Sequence, residues 1–329
     1  MKNLLRTLVI FILVLFIVGC STEIKDSKGN EVTNDVIQVG IIQLADNGAF
    51  TDMREGFINK MRNLGYSEDK MVFDYKNANG DTATLNSICQ TMVDQKKDLI
   101  VTIGTPATQA IVNMNSGIPV FYISVSNPIG AKVISDMNNP DKNATGTSNA
   151  IPVSEMFKLA DRLTPNCKTY GLIYNTGEIN AVTTIENAKK YMDSIGLKYK
   201  EAIVTSSSEV QQATQSLVGQ VDALFIPNDS MVQSAMPQLA EIAKKAKIPV
   251  YGSSAVMVQS GALATISIDD FTIGGITAEM ADKYMKGTPI NKIPSVVVSD
   301  FTTVINKTTA DAIGVTIPQE ILVNAEVLQ

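Results

Sequence analysis

Apolar residues along the chain fall into two recurring patterns. Short unbroken runs rich in Val and Ile read as strands buried on both faces, and longer stretches with apolar residues three and four apart read as helices laid against them. Val36–Gln43, Met71–Lys76, Leu99–Ile103 and Ile118–Ile123 are of the first kind. Phe50–Leu64, with Met53, Phe57, Met61 and Leu64 on one face, and Thr82–Gln95 are of the second. A turn at Ser124–Pro128, a short helix and a strand near Ala144–Asn149 complete this half. Regular alternation of strand and helix predicts a parallel sheet with helices on both sides.

The same succession then begins again. Strands are expected at Tyr170–Tyr174, Leu197–Val204, Asp222–Ile226 and Ile248–Tyr251, with helices at Glu178–Ile195, Ser208–Gly219 and beyond Ser230. Gly40 and Gly171 are 131 residues apart, as are Gly65 and Gly196; Pro119 and Pro249 are separated by 130, Asp98 and Asp222 by 124. Four matches in one order indicate two lobes of one topology. Past Ser260 the pattern gives a strand at Gly261–Thr265, a helix at Thr272–Lys286 and short strands at Val296–Val298 and Thr303–Ile305. A last helix, capped by Asn306, ends at Gly314. The fold class expected is α/β: two Rossmann-like lobes with parallel sheets, joined by a three-segment hinge, with a ligand cleft between them. The hinge segments fall near Asn149–Pro152, Thr265–Asp269 and Val298–Phe301. Residues 36–149 and 268–298 then make lobe 1, and residues 150–267 and 299–329 make lobe 2.

The first twenty residues are a separate object. Lys2 and Arg6 precede an apolar stretch, Leu8–Val18, too short to span a bilayer comfortably, and it ends in Ile17-Val-Gly-Cys20. This resembles a bacterial lipobox, which implies that Cys20 is to be lipidated and to become the mature N-terminus. Two acyl chains on one residue anchor stably where a single chain does not. Residues 21–35 are polar and aperiodic and read as a flexible tether. Cys89 and Cys167 read as two unpaired thiols.

Composition narrows the chemistry. With 33 acidic against 27 basic side chains and no Lys/Arg block, a nucleic-acid partner is not expected. The chain contains no histidine, which removes histidine-based zinc sites, Ser-His-Asp triads and Cys-His dyads. Dinucleotide, P-loop, nucleophile-elbow and EF-hand motifs are also missing from the sequence. The expectation is a binding protein, with neither cofactor nor metal, acting as a monomer.

Candidate ligand contacts sit at the carboxyl ends of the strands. Gly104 allows a sharp turn after Leu99–Ile103, Thr105 can cap the next helix through its hydroxyl, and Pro106 suits the first helical position. Such a helix N-terminus above an α/β sheet is a ready site for an anion. Along the lobe 1 rim stand Asn47, Phe50, Thr105, Ser124, Ser126 and Asn127. Facing them on lobe 2 are Tyr174, Asn175, Glu178, Asn180, Asn228, Asp229 and Ser253, with Asp269 at the hinge. Hydroxyls, amides, a few acids and aromatic rings suit a small zwitterion with an apolar body. Thr105 with Ser124 or Ser126 would take a carboxylate, and Glu178 or Asp229 an ammonium. Phe50 and Tyr174 would line the side-chain pocket, while Tyr122 and Tyr251 read as strand core.

Several segments together resemble the substrate-binding lipoproteins of ABC importers typified by the bacterial tryptophan- and tyrosine-binding proteins. They include Val39-Gly-Ile-Ile-Gln43, Arg54-Glu-Gly-Phe57, Asn77-Ala-Asn-Gly-Asp81, Gly104-Thr-Pro-Ala-Thr-Gln-Ala110 and Asn143-Ala-Thr-Gly146. Tyr174-Asn175 with Glu178 and Asn180, Ile226-Pro227 with Asp229, and Gly261-Ala-Leu-Ala264 extend the likeness to about Pro318. The resemblance implies a type I periplasmic-binding-protein-like fold and capture of a free amino acid, aromatic in the best-known cases. It also implies a permease and an ATPase as partners, and a lipid-anchored place on the extracytoplasmic face of the membrane. The family pattern has His-Pro where this chain has Asn47-Gly48, and Asp where it has Asn127, which leaves the exact ligand open. A sensor, receptor or adhesin lipoprotein on the same fold, binding a sugar or nucleoside, is the competing expectation.

Overall fold

The computed structural model describes residues 36–150 and 152–329. The lipoprotein signal expected at residues 1–20, with Cys20, and the tether expected over residues 21–35 lie outside the described residues. From the start of the described chain the order is β1 (Ile37–Gln43), α1 (Gly48–Asn63), β2 (Met71–Asn77), α2 (Thr82–Asp94), β3 (Leu99–Ile103), α3 (Thr105–Val112), β4 (Val120–Ile123) and β5 (Ala144–Ser148). There follow α4 (Val153–Leu163), β6 (Thr169–Asn175), α5 (Ile179–Ile195), β7 (Lys198–Val204), α6 (Val210–Leu217), β8 (Ala223–Phe225), α7 (Ser230–Ser234), α8 (Met236–Lys245), β9 (Val250–Tyr251), α9 (Ala255–Gln259) and β10 (Ala264–Ser267). The remainder is α10 (Asp270–Met285), β11 (Val296–Val297), β12 (Thr302–Asn306), α11 (Lys307–Ile313), α12 (Gln319–Leu322) and β13 (Ala325–Leu328).

Two sheets result. The first has the order β11-β5-β4-β3-β1-β2 and is parallel throughout. The second has the order β13-β12-β10-β9-β8-β6-β7 and is parallel except where β12 runs against β10. Five strands of each sheet therefore share one order, and the equivalent residues do equivalent work. The Asp98 carboxylate accepts from the Gln38 N–H at 2.6 Å, tying the start of β1. Asp222 does the same for β6, accepting from Lys168 and Thr169 at 2.9 and 2.8 Å. Gly40 and Gly171 are bare for a shared reason: a Cβ would stand 2.9 Å from Met92 Sδ in the first lobe and 2.5 Å from Leu224 Cδ2 in the second.

Each sheet is covered on both faces, as the unbroken apolar strands require. The chain passes from the first sheet to the second between β5 and α4, returns between β10 and α10, and leaves again between β11 and β12. In some places the structure departs from the expectation. No helix forms between Pro128 and Ala144; bonded turns fill that stretch, among them Val133 N–H to Pro128 C=O. The strand expected at Gly261–Thr265 lies a little later, at β10, and α4, α9, α12 and β13 occupy ground given no element.

Candidate functional site

The carboxyl ends of both sheets open onto one cleft that encloses about 630 Å³ of non-atom space, its mouth included. On the first lobe its wall begins at the β3–α3 turn. Gly104, at φ 80°, is the residue before the helix, and a Cβ there would press to 3.0 Å on Phe50 Cζ. No side chain caps α3. Thr105 is its first helical residue instead of the cap expected from the sequence, because the left-handed turn at Gly104 takes the cap position. The Thr105 hydroxyl is buried at the cleft wall with no hydrogen-bond partner among the described residues. Ser124 completes this wall in a left-handed conformation, φ 62°, that a residue with a Cβ seldom adopts. Ser126 donates to Asn149 Oδ1 at 3.1 Å, where the chain leaves the first sheet.

On the second lobe the wall is acidic. Glu178, the residue before α5, is buried and accepts from the Ser230 N–H at 3.0 Å and the Ser230 hydroxyl at 3.2 Å. Burial pushes its carboxyl up, and the Asp229 charge adds to that. Asp229 caps α7, with one oxygen accepting from Met231 and Val232 N–H and the other from Asn175 N–H. Burial raises Asp229 as well, although these three N–H groups oppose the rise. Both acids proposed as ammonium partners already accept protein hydrogen bonds, Asp229 from three backbone N–H groups and Glu178 from the Ser230 N–H and hydroxyl. Asn180 donates to Asn228 C=O at 2.7 Å, and its own buried Oδ1 has no partner among the described residues. The Ser253 hydroxyl donates to Ile226 C=O at 2.7 Å.

Nine of the fourteen candidates thus line the cleft: Phe50, Thr105, Ser124, Ser126, Glu178, Asn180, Asn228, Asp229 and Ser253. The other five do not form its wall. Tyr174 shares the strand face of Tyr170 and Leu172, points into the second lobe's core and donates to Glu201 at 2.7 Å. Asn175 and Asn127 close turns, accepting from Gly177 and Gly130 N–H. Asp269 caps α10 by accepting from Thr272 N–H at 2.6 Å. Asn47 caps α1 by accepting from Phe50 N–H, and also accepts from Gln233 Nε2 of the other lobe at 3.0 Å.

Asp270 is not among the ligand contacts expected from the sequence. It lines the cleft together with Ile268, Ile273 and Phe301, is part-exposed, and also lines a neighbouring polar recess with Asp52, Asp269 and Gln259. Burial, then the charges of Asp52 and Asp269, hold it well above the usual carboxylate range. Among the described residues no Lys or Arg lines the cleft, so the donors there for an anionic group are helix N-termini, hydroxyls and the amides of Asn149, Asn180, Asn228 and Gln233. Among the described residues no cluster of three metal-ligating side chains occurs.

This geometry, two like α/β lobes clasping a polar cleft on a three-strand crossing, defines a solute-binding protein. The family model for ABC transporter substrate-binding proteins matches residues 38–328, and the chain belongs to that family. Its members are binding proteins and not enzymes. The tyrosine-binding protein of Clostridioides difficile (strain R20291) is 33% identical over 318 residues, covering 95% of this chain and 92% of the relative. An ABC domain in complex with L-Trp from Streptococcus pneumonia is 30% identical, covers 89% of this chain and all of its own, and superposes with a TM-score of 0.86. The ligand-free, open structure of a substrate-binding protein with adhesive properties from Clostridium difficile is 33% identical, over 89% of this chain and 99% of its own. Its TM-score is only 0.67.

Proposed function

We propose that this protein is the solute receptor of an ABC importer that captures a free amino acid, aromatic by preference, and hands it to a permease driven by an ATPase. The observation that carries the reading is the pairing, in one cleft, of Glu178 on one wall with the uncapped start of α3 and the unpartnered Thr105 hydroxyl on the other. A zwitterion satisfies both: its ammonium meets Glu178, and its carboxylate meets Thr105, Ser124 and the positive end of α3. Phe50, Met53 and Phe301 offer the apolar surface for the side chain. Relatives named for tyrosine and solved with L-Trp support this choice of ligand. Calorimetry across the amino acids tests it. Tyrosine, tryptophan or phenylalanine should bind, and Glu178→Gln should weaken that binding roughly ten- to a hundredfold, the worth of one charge-assisted hydrogen bond. Heat with sugars or nucleosides alone would sink the proposal.

The same proposal places the mature protein, as a monomer, on the extracytoplasmic face of the membrane, held by a lipid on Cys20. Its support is the Ile17-Val-Gly-Cys20 sequence behind an apolar run. Cys20→Ala should move the protein from the membrane fraction to the soluble fraction; unchanged fractionation removes the anchor. An adhesive or sensing role in addition to transport is compatible with the adhesive properties of the Clostridium difficile relative.

A further inference from the structure

We infer that the buried acids Glu178 and Asp229 hold one proton between them in the ligand-free protein, and that the ammonium of an incoming amino acid displaces it, so that capture of the ligand releases a proton to water. The inference rests on the amino-acid reading of the cleft and goes one step further, to the proton exchanged on binding.

Both residues are 2% exposed, and the donors they bond to are neutral. Glu178 accepts from the Ser230 N–H at 3.0 and 3.2 Å and from the Ser230 hydroxyl at 3.2 Å. Asp229 accepts from the N–H groups of Asn175, Met231 and Val232. Among the described residues no cation lines the cleft, and its one further titratable side chain is a third acid, Asp270 at the start of α10. Helices α1 and α3 and the turns after β4, β5 and β9 present neutral side chains to it. Two neighbouring carboxylates taken out of water, with no cation beside them, are costly to ionise together. One proton relieves the pair, and the hydrogen bonds decide where it sits. Three N–H groups spread over both oxygens favour the ionised form of Asp229. Glu178 has one N–H and a hydroxyl, and that hydroxyl can accept as readily as it donates. Glu178 is therefore the acid that keeps the proton, in line with the rise that burial and the Asp229 charge impose on it. An ammonium brought against Glu178 supplies the positive charge that the proton supplied. The carboxyl then gives its proton to water, and the net charge of the acid pair with its cation is unchanged.

The test is calorimetric titration of the whole chain, stripped of bound ligand, with L-tyrosine and L-tryptophan in buffers of different ionisation enthalpy. At neutral pH wild type should release about one proton per ligand bound. The complex carries fewer protons than the free protein, so affinity should fall about tenfold for the first unit of pH below neutral. Glu178→Gln, fixed in the neutral form, should bind more weakly, release no proton and keep one affinity over that range. A merely structural role for Glu178 would lower affinity without removing its pH dependence. Should the Gln variant not fold, hydroxyphenylpropionate, which is tyrosine without its amino group, serves on wild type and must bind without releasing a proton. Wild type that binds tyrosine or tryptophan with no proton released overturns the inference and leaves the amino-acid reading intact. So does a Glu178→Gln that releases as many protons as wild type, or release on binding the deaminated analogue. If neither amino acid binds wild type, the amino-acid reading itself falls, and this inference with it.

Discussion

Met231→Asp should weaken ligand binding roughly a thousandfold or more while leaving the ligand-free protein about as stable as before. Met231 belongs to α7 of the second lobe, yet it is 5% exposed and packs into an apolar cluster of the first, with Ala45, Ala78 and Leu85. Its Sδ lies 3.3 Å from where a Cβ on Gly80 would stand. That contact exists only while the lobes are together. Opening them returns residue 231 to water, where Asp costs nothing. Closing them strips the carboxylate of water and forfeits the methionine's burial, together about 4 kcal/mol or more. The penalty therefore falls on the closed form alone, and a ligand that binds by closing the lobes must meet all of it. Calorimetry with the best ligand gives the loss of affinity, and thermal melting without ligand gives the control. Affinity within threefold of wild type would show that the bound form does not need this contact.

The patterns along the chain carry most of the fold because each strand is buried on both faces and each helix on one. Leu99–Ile103 has the same bounds in sequence and structure. The expected cap at Asn306 and stop at Gly314 are present, with Asn306 accepting from Thr309 N–H and Gly314 at φ 81°. Helix α4 passes unexpected, though Val153, Met156, Phe157, Ala160 and Leu163 recur at helical spacing. The site is less legible, because neighbouring residues of one type diverge in direction. Asp269 and Asp270 are alike as letters, yet one caps the helix outside the cleft and the other turns into it. Tyr174 could have been placed from the strand period: it shares a face with Tyr170 and Leu172, and that face is core. Asn127 followed by Gly130 and Asn175 followed by Gly177 are the spacings of side-chain-closed turns. The interlobe bond from Gln233 to Asn47 spans 186 residues and has no local signal at all.

Gly274→Val should cost about 3 kcal/mol of stability, and Gly274→Ala about 1–2. Helices α1 and α10 meet through paired glycines. A Cβ on Gly274 would stand 2.0 Å from Met53 C=O oxygen, and one on Gly56 would stand 2.0 Å from that of Phe271. The nearest atoms are backbone, which cannot swing aside as a side-chain tip can. A comfortable carbon-to-oxygen approach is about 3.3 Å, so either substitution must part the helices by about an ångström. Alanine recovers about 1 kcal/mol through its helix preference, which sets its cost below that of valine. The same parting moves Phe50 and Met53, on α1, away from Asp270 and Ile273, on α10. Ligand affinity should consequently fall even in the alanine variant, which stays folded. Urea midpoints of the ligand-free variants read the first effect and calorimetry the second. A valine variant with the wild-type midpoint would mean that the two helices are not held at this distance.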